Sequence, residues 1–446
     1  MGRLRRLYHG ITGDLVLGRA MRNGGWLLGG SGITSLFALI QGALLTRALG
    51  VGQYGVYAVV TTFVTVVNRL TSFRMNEFVV KYVSDSVGAS DRDGAAAAVK
   101  LAMLTEAAAS LLAFLVLMAL APLGATWFVH DPAAVRPIQL YSLTVLAMLV
   151  AESSVGVLQV FGRFRVQALL NVLGAGVFLG ATTLAFVLDG RLEAMLWAAV
   201  SAAGISWAAM TWAAFRAVQD ACGPRWWRVP LQRLGTTRRA ALGFALSTNA
   251  SATLSLVTRD ADPLWLSLFR GTAEAGLYRL AFTIASYVVM PVGQLGQAFY
   301  PEIAREAAAN SWGAFRRLLR RGTVIAGAYV LPAWLVVVLA GPALIRTVYG
   351  TPFVPAATAL ALLFVGMGFA NVLFWNRPAL LALGRADFPF KVNLGIAAMK
   401  VVGILLVIPA YGYIGNAALL TGLYVVGVSV CVWKVWSEVE RRLSGG

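Results

Sequence analysis

From residue 24 to residue 435 the chain is a nearly continuous series of apolar runs separated by short polar joints. A run of about 20 apolar residues crosses the roughly 30 Å hydrocarbon core of a bilayer as a helix. A water-soluble domain covers its core with charge, yet only 13% of the 446 residues are charged and 59% are hydrophobic. The sequence therefore predicts a polytopic membrane protein. Within hydrocarbon every backbone donor and acceptor must be satisfied by the protein itself, which leaves helices or closed barrels. Barrel strands would alternate in polarity over about ten residues, whereas these runs are apolar on every face. The expected fold is all-α, with about 12 transmembrane helices. They fall at 24–48, 56–80, 96–121, 138–161, 166–188, 193–216, 241–269, 275–299, 322–347, 354–382, 388–409 and 412–435.

A net charge of +18 would direct a soluble domain toward nucleic acid, but the placement of the charge decides otherwise. With a cytoplasmic N-terminus, one side collects Arg3, Arg5, Arg6, Arg19, Arg22, Lys81, Arg92, Arg163 and Arg165. The basic clusters within 216–239, 305–321, 385–391 and 434–442 fall on the same side, while the opposite loops hold little beyond Arg47, Arg136, Arg191, Arg270 and Arg346. Because basic residues accumulate on the cytoplasmic side, both termini are expected in the cytoplasm of an inner membrane, which requires an even number of spans. The basic excess then serves topology and contact with membrane lipids, and no nucleic-acid partner is expected. Cys222 and Cys431, in a cytoplasmic loop and the last span, predict no disulfide. "GITGDLVLG" near the N-terminus is short, Gly-interrupted and followed by Arg19, so it predicts a helix on the inner surface and not a secretory signal.

The chain also repeats itself. "GVGQYGVYA" (Gly50 to Ala58) pairs with "GTAEAGLYR" (Gly271 to Arg279) at an offset of 221, matching Gly50, Gly55 and Tyr57 to Gly271, Gly276 and Tyr278. "GRFRVQALLN" pairs with "GRADFPFKVN" at an offset of 222, matching Gly162, Arg163 and Asn171 to Gly384, Arg385 and Asn393. A shift of nearly half the chain predicts two six-helix halves. The expected organisation is an inner-surface segment 1–23, a first bundle 24–216, a basic cytoplasmic linker 217–240, a second bundle 241–436 and a tail 437–446. Six spans per half make the repeats parallel, with a site between them near mid-membrane. Trp226 and Trp227, set among arginines in the linker, are expected to anchor at the headgroup level.

Several function classes find no support. "GVGQYG" satisfies the dinucleotide pattern GxGxxG, but no strand precedes it; a tight turn explains its glycines better, since the second copy lacks the middle one. His9 and His130 are the only histidines and fall on opposite sides of the membrane, too few for a metal site or a proton relay. The chain shows no catalytic constellation, and neither an enzyme nor a cofactor is expected.

Ionisable residues within the spans remain, each costing about 2.5 to 3.5 kcal/mol at a helix centre on the insertion scale. The second span carries Arg69, Arg74, Glu77 and Lys81, the last three spaced to pair along one face, with Arg69 deeper. Glu106 and Glu152 either neutralise arginines of the bundle or couple transport to H+ or Na+. Lys400 either reaches a cavity or partners one of the deep carboxylates. "TRDADPLW" (Thr258 to Trp265) puts Arg259, Asp260, Asp262 and Pro263 inside the seventh span. Helical spacing predicts an Arg259–Asp262 pair with Asp260 about 100° away. Pro263 lacks the amide that would bond the Arg259 carbonyl, so a kink facing a water-filled cleft is expected.

"TRALGVGQYGVYAVV", the run from "LSLFRGTAEAGLYRLAF" to "YPEIAR", "VYGTPFVPAATALALLFVGM", "LLALGRADFPFKVN" and "IPAYGYIGNAAL" together resemble the polysaccharide-biosynthesis (Wzx-like) branch of the multidrug/oligosaccharidyl-lipid/polysaccharide (MOP) flippase superfamily. The resemblance covers nearly the whole chain in matching order. It implies a MATE-like pair of bundles around a central cleft, moving a lipid-linked oligosaccharide across the membrane by alternating access, with glycan-assembly proteins as further partners. It makes Arg69, Arg74, Arg259 and Arg279 candidate diphosphate ligands. Glu106, Glu152, Asp260, Asp262, Pro263 and Lys400 become candidates for coupling or gating. A drug or cation antiporter of the same superfamily and a lipid II flippase are the alternatives.

Overall fold

The structure, a computed structural model, describes residues 15–72, 75–188, 190–234, 259–385 and 387–444. Every regular element among these residues is helical. The α-helices are α1 (Leu15–Thr71), α2 (Met75–Gly88), α3 (Arg92–Gly124), α4 (Val135–Ala147), α5 (Ala151–Val160), α6 (Phe164–Leu188) and α7 (Leu192–Cys222). They continue as α8 (Asp262–Arg270), α9 (Thr272–Ala308), α10 (Trp312–Val348), α11 (Ala356–Val372), α12 (Asn376–Ala382) and α13 (Asp387–Ser444). Among the described residues nine helical stretches are long and apolar enough to cross a membrane. Two of them, in α1 and α13, contain a non-helical glycine, Gly50 and Gly412. Most of the expected seventh span, 241–269, lies outside the described residues.

The repeat is carried by the backbone. Eleven described residues have positive φ, a conformation that costs an ordinary L-residue about 1 to 2 kcal/mol. Ten of them form five pairs at offsets of 220 to 222: Gly50 with Gly271, Ser90 with Asn310, His130 with Gly350, Gly162 with Gly384, and Gly190 with Gly412. Only Gly223, at the start of the linker, has no counterpart. The fourth expected span of each half is also broken, at 148–150 between α4 and α5 and at 373–375 between α11 and α12. Turns and breaks thus recur in register although few side chains do.

By contacts the chain forms two compact units, one of residues 1–41, 67–121 and 136–252, the other of 42–66, 122–135 and 253–446. In the first, one core joins Phe78, Val79 and Val83 of α2, the fully buried run Ala95–Val99 of α3, Val157 and Leu158 of α5, and Met210, Ala214 and Val218 of α7. Small residues let helix backbones approach closely in a membrane, where lipid tails give no hydrophobic drive for helix association. Gly156 of α5 shows how close: a Cβ there would lie 2.9 Å from the Val79 Cβ. Trp226 joins this core, its ring 5.0 Å from that of Phe215, while Trp227 is exposed. The expected headgroup anchor is thus divided between one core tryptophan and one surface tryptophan.

In the second unit the core gathers Ile303, Phe315, Leu319, Trp375, Leu380, Val435 and Val439. The two copies of the glycine motif meet within it. A Cβ on Gly55 would lie 2.0 Å from the Thr272 carbonyl oxygen, and one on Gly276 would lie 2.9 Å from the Gly55 Cα. Gly50 and Gly271 are the turn glycines, Gly55 and Gly276 are contact glycines, and Gly52, with nothing within 4 Å of its Cβ position, is neither. The tight turn expected from sequence therefore explains only the first glycine of each copy.

Candidate functional site

The polar break in the seventh span organises the site. Residues 259 and 260 lie in a wide π turn, Ala261 is non-helical, and α8 starts at Asp262. Pro263 thus stands in a first helical turn, where its missing N–H costs nothing and its fixed φ suits the helix. The expected kink inside a helix is instead a fresh helix start.

This break changes the ion pairs. Arg259 Nε lies 3.0 Å from Asp260 Oδ1 and the guanidinium adjoins the Tyr424 hydroxyl. The expected Arg259–Asp262 pair does not form, because spacings of three and 100° per residue hold only along an unbroken helix. Asp262 turns inward and is completely buried. Its Oδ2 accepts from the Tyr278 hydroxyl at 2.5 Å and from Lys400 Nζ at 3.2 Å, while the same ammonium is 2.9 Å from Oδ1. Lys400, also completely buried, donates to Asn416 Oδ1 at 2.8 Å. A buried charge is tolerable only when paired and hydrogen-bonded. Here α8, α9 and α13 each supply part of the compensation.

The first repeat has a neutral counterpart. Gln41, 221 residues before Asp262, is buried on the first span and its Nε2 donates to Thr182 Oγ1 at 3.1 Å on the fifth. The same helix pair is thus joined by an amide and a hydroxyl in one half and by an ion pair in the other.

Glu106 is 4% exposed, and its partners among the described residues include no arginine. Its carboxylate accepts from Glu152 N at 2.8 Å, Ser153 N at 2.8 Å and Ser153 Oγ at 2.6 Å. The first amides of a helix have no intrahelical partner, and a helix N-terminus favours negative charge. Glu106 of α3 therefore caps α5 across the break at 148–150. Glu152 is exposed, and its contact with Glu106 is through its backbone.

Arg69 is exposed near the end of α1, and Arg74 lies outside the described residues. Arg279 is half-buried on α9, within electrostatic reach of Tyr54 and Tyr287. Of the candidates, Asp262 and Lys400 are brought together and Arg259 is joined to Asp260. Tyr278 and Asn416 complete the buried cluster, although they appear in the sequence only as members of "GTAEAGLYR" and "IPAYGYIGNAAL". Tyr278 lies two residues beyond Gly276 and Asn416 directly follows Gly415, a spacing that carries no distinctive signal. Among the described residues no three His, Cys, Asp or Glu are grouped to hold a metal ion.

The family model described as polysaccharide biosynthesis protein matches residues 20–306. The inner membrane protein YghQ of Escherichia coli (strain K12) is 20% identical over 338 residues, covering 75% of this chain and 94% of YghQ. The fold is similar to that of an inward-facing multidrug resistance MATE family transporter of the MOP superfamily, with TM-score 0.70 and 13% identity over 92% of this chain and 96% of that one. It is also similar to the lipid II flippase MurJ in an inward closed conformation, with TM-score 0.71 and 12% identity over 93% of this chain and 88% of that one. The all-α, MATE-like fold expected from sequence is the fold of this chain.

Proposed function

The chain belongs to the polysaccharide biosynthesis protein family, and on that premise we propose that it is a flippase carrying a polyprenyl-(pyro)phosphate-linked oligosaccharide from the inner to the outer leaflet of the cytoplasmic membrane by alternating access. The observation that carries this is the family match over residues 20–306, which takes in both copies of the glycine motif. The fold does not choose the cargo, since a multidrug transporter and a lipid II flippase are both similar to it.

A diphosphate crossing the membrane leaves water, and guanidinium forks replace its hydration with charge-assisted hydrogen bonds. Arg69, Arg74, Arg259 and Arg279 are the proposed ligands. Arg279 supports the assignment best, being half-buried and in no ion pair among the described residues. Arg259 is held by Asp260, so a cargo phosphate that takes the guanidinium leaves the carboxylate without its cation. H+ or Na+ is then the proposed coupling ion at Asp260, with exposed Glu152 as the second coupling candidate. Asp262, Pro263 and Lys400 act in gating by fixing the start of α8, and Glu106 by fixing the start of α5.

The test is glycan export in a cell lacking its own flippase for that glycan. Replacing all four arginines by glutamine is expected to abolish surface glycan and to accumulate lipid-linked repeat units in the inner leaflet. Unchanged export would sink the assignment.

A further inference from the structure

A cavity of about 550 Å³ adjoins the break between α4 and α5, walled by Leu149 and Val150 at the break and by Gly204, Trp207, Trp212 and Phe215 of α7. We propose that this cavity receives the isoprenoid chain of the cargo, with its phosphate at Arg216. The inference rests on the flippase proposal and adds to it a seat for the lipid.

Three observations support it. First, the polar groups of the break are paired within the protein. A broken helix ordinarily exposes unpaired amides, but Glu106 takes those of residues 152 and 153, and the Ser154 hydroxyl bonds the Val150 carbonyl at 2.7 Å. What remains toward α7 is a wall apolar except for Thr211, whose hydroxyl accepts from Ser154 Oγ at 3.4 Å. Water gains few partners against such a wall, and an empty cavity forfeits dispersion contacts, so in a bilayer hydrocarbon fills it.

Second, the charge lies at one end. Arg216 follows Phe215 directly, is exposed, and stacks over the Trp212 ring at 4.8 Å from its centroid. It closes the expected sixth span on its cytoplasmic side, the depth at which a phosphate in the inner leaflet sits. From Arg216 back to Gly204 the helix rises about 18 Å, passing Phe215, Trp212 and Trp207 in turn. A phosphate followed by a long apolar chain matches that order.

Third, the lining is aromatic, with Trp207, Trp212 and Phe215 along one helix. The planar, methyl-branched units of a polyprenyl phosphate suit indole and phenyl faces better than a flexible acyl chain does. A Cβ built on Gly204 meets nothing within 4 Å, so the cavity can be filled from that position without displacing a neighbour.

The test uses a polyprenyl phosphate carrying a diazirine in its first isoprene units, added to the full-length protein in vesicles of phosphatidylethanolamine and phosphatidylglycerol. After illumination, labelled peptides are mapped by mass spectrometry. The label is expected on residues 146–150 and 204–215, falling about tenfold with excess unlabelled polyprenyl phosphate but not with the same excess of phosphatidylglycerol. Gly204→Leu with Ala208→Leu should remove the label there, and Arg216→Gln should raise the half-labelling concentration about tenfold. If the double variant does not fold, the competition arm decides alone. Equal competition by phosphatidylglycerol, or label confined to other peptides, overturns the cavity assignment and leaves the flippase proposal standing. No label anywhere on the protein overturns both.

Discussion

A carboxylate and an ammonium, both removed from solvent in the second unit, have an unusual consequence for mutagenesis. Asp262 and Lys400 neutralise one another, and Tyr278 and Asn416 occupy further hydrogen-bonding positions. Removing one member of a buried pair strands the other charge, at a cost of about 3 to 5 kcal/mol, whereas replacing both by apolar or amide groups is often neutral. Lys400→Met is therefore expected to lower the thermal unfolding midpoint of the detergent-solubilised protein markedly, and Asp262→Asn with Lys400→Met to restore most of it. Glycan export by the double variant then separates gating from stability. A double variant as unstable as Lys400→Met would show that the pair is not what the site needs. The sequence left Lys400 between a cavity and a deep carboxylate, and assigned Asp262 to Arg259. That assignment assumed continuous helix across residues 259–262, and a single turn of altered geometry redirects every side chain beyond it.

At the scale of the element, glycines that look alike differ in what they do. Gly55 touches the backbone of Thr272, while Gly52 three residues earlier faces open space. Gly55→Ala cannot be accommodated without moving α9, and overpacking of this kind costs about 1 to 3 kcal/mol. Gly52→Ala adds helix propensity worth about 0.5 to 1 kcal/mol and meets no neighbour. The paired measurement is the unfolding midpoint of each variant, with Gly55→Ala expected below the unsubstituted protein and Gly52→Ala at or above it. A similar loss in both would mean that the contact is not limiting. The helices themselves were legible in the sequence, because hydropathy alone specifies where lipid is crossed. The breaks at 148–150 and 373–375 were not, since neither contains a proline or glycine. What marks the first is Glu106, 46 residues from the amide it caps, and no local pattern carries information over that distance.

For the whole molecule, the repeat decides what kind of transporter is being built. Five pairs of left-handed residues at offsets of 220 to 222 show that both halves place their turns alike, yet the same spacing would arise whether the halves are parallel or inverted. The difference is one of parity: an even number of spans per half keeps the orientation, and an odd number reverses it. The positive-inside count favours parallel halves, because Arg163 with Arg165 and Arg385 with Lys391 follow the equivalent turns at Gly162 and Gly384. Substituted-cysteine labelling settles it, after Cys222 and Cys431 are replaced by serine. Cysteines at Ser90 and Asn310 should both be shielded from a membrane-impermeant maleimide in intact cells, and those at His130 and Thr351 should both react. Members of a pair reacting from opposite sides would make the repeats inverted and overturn the parallel arrangement.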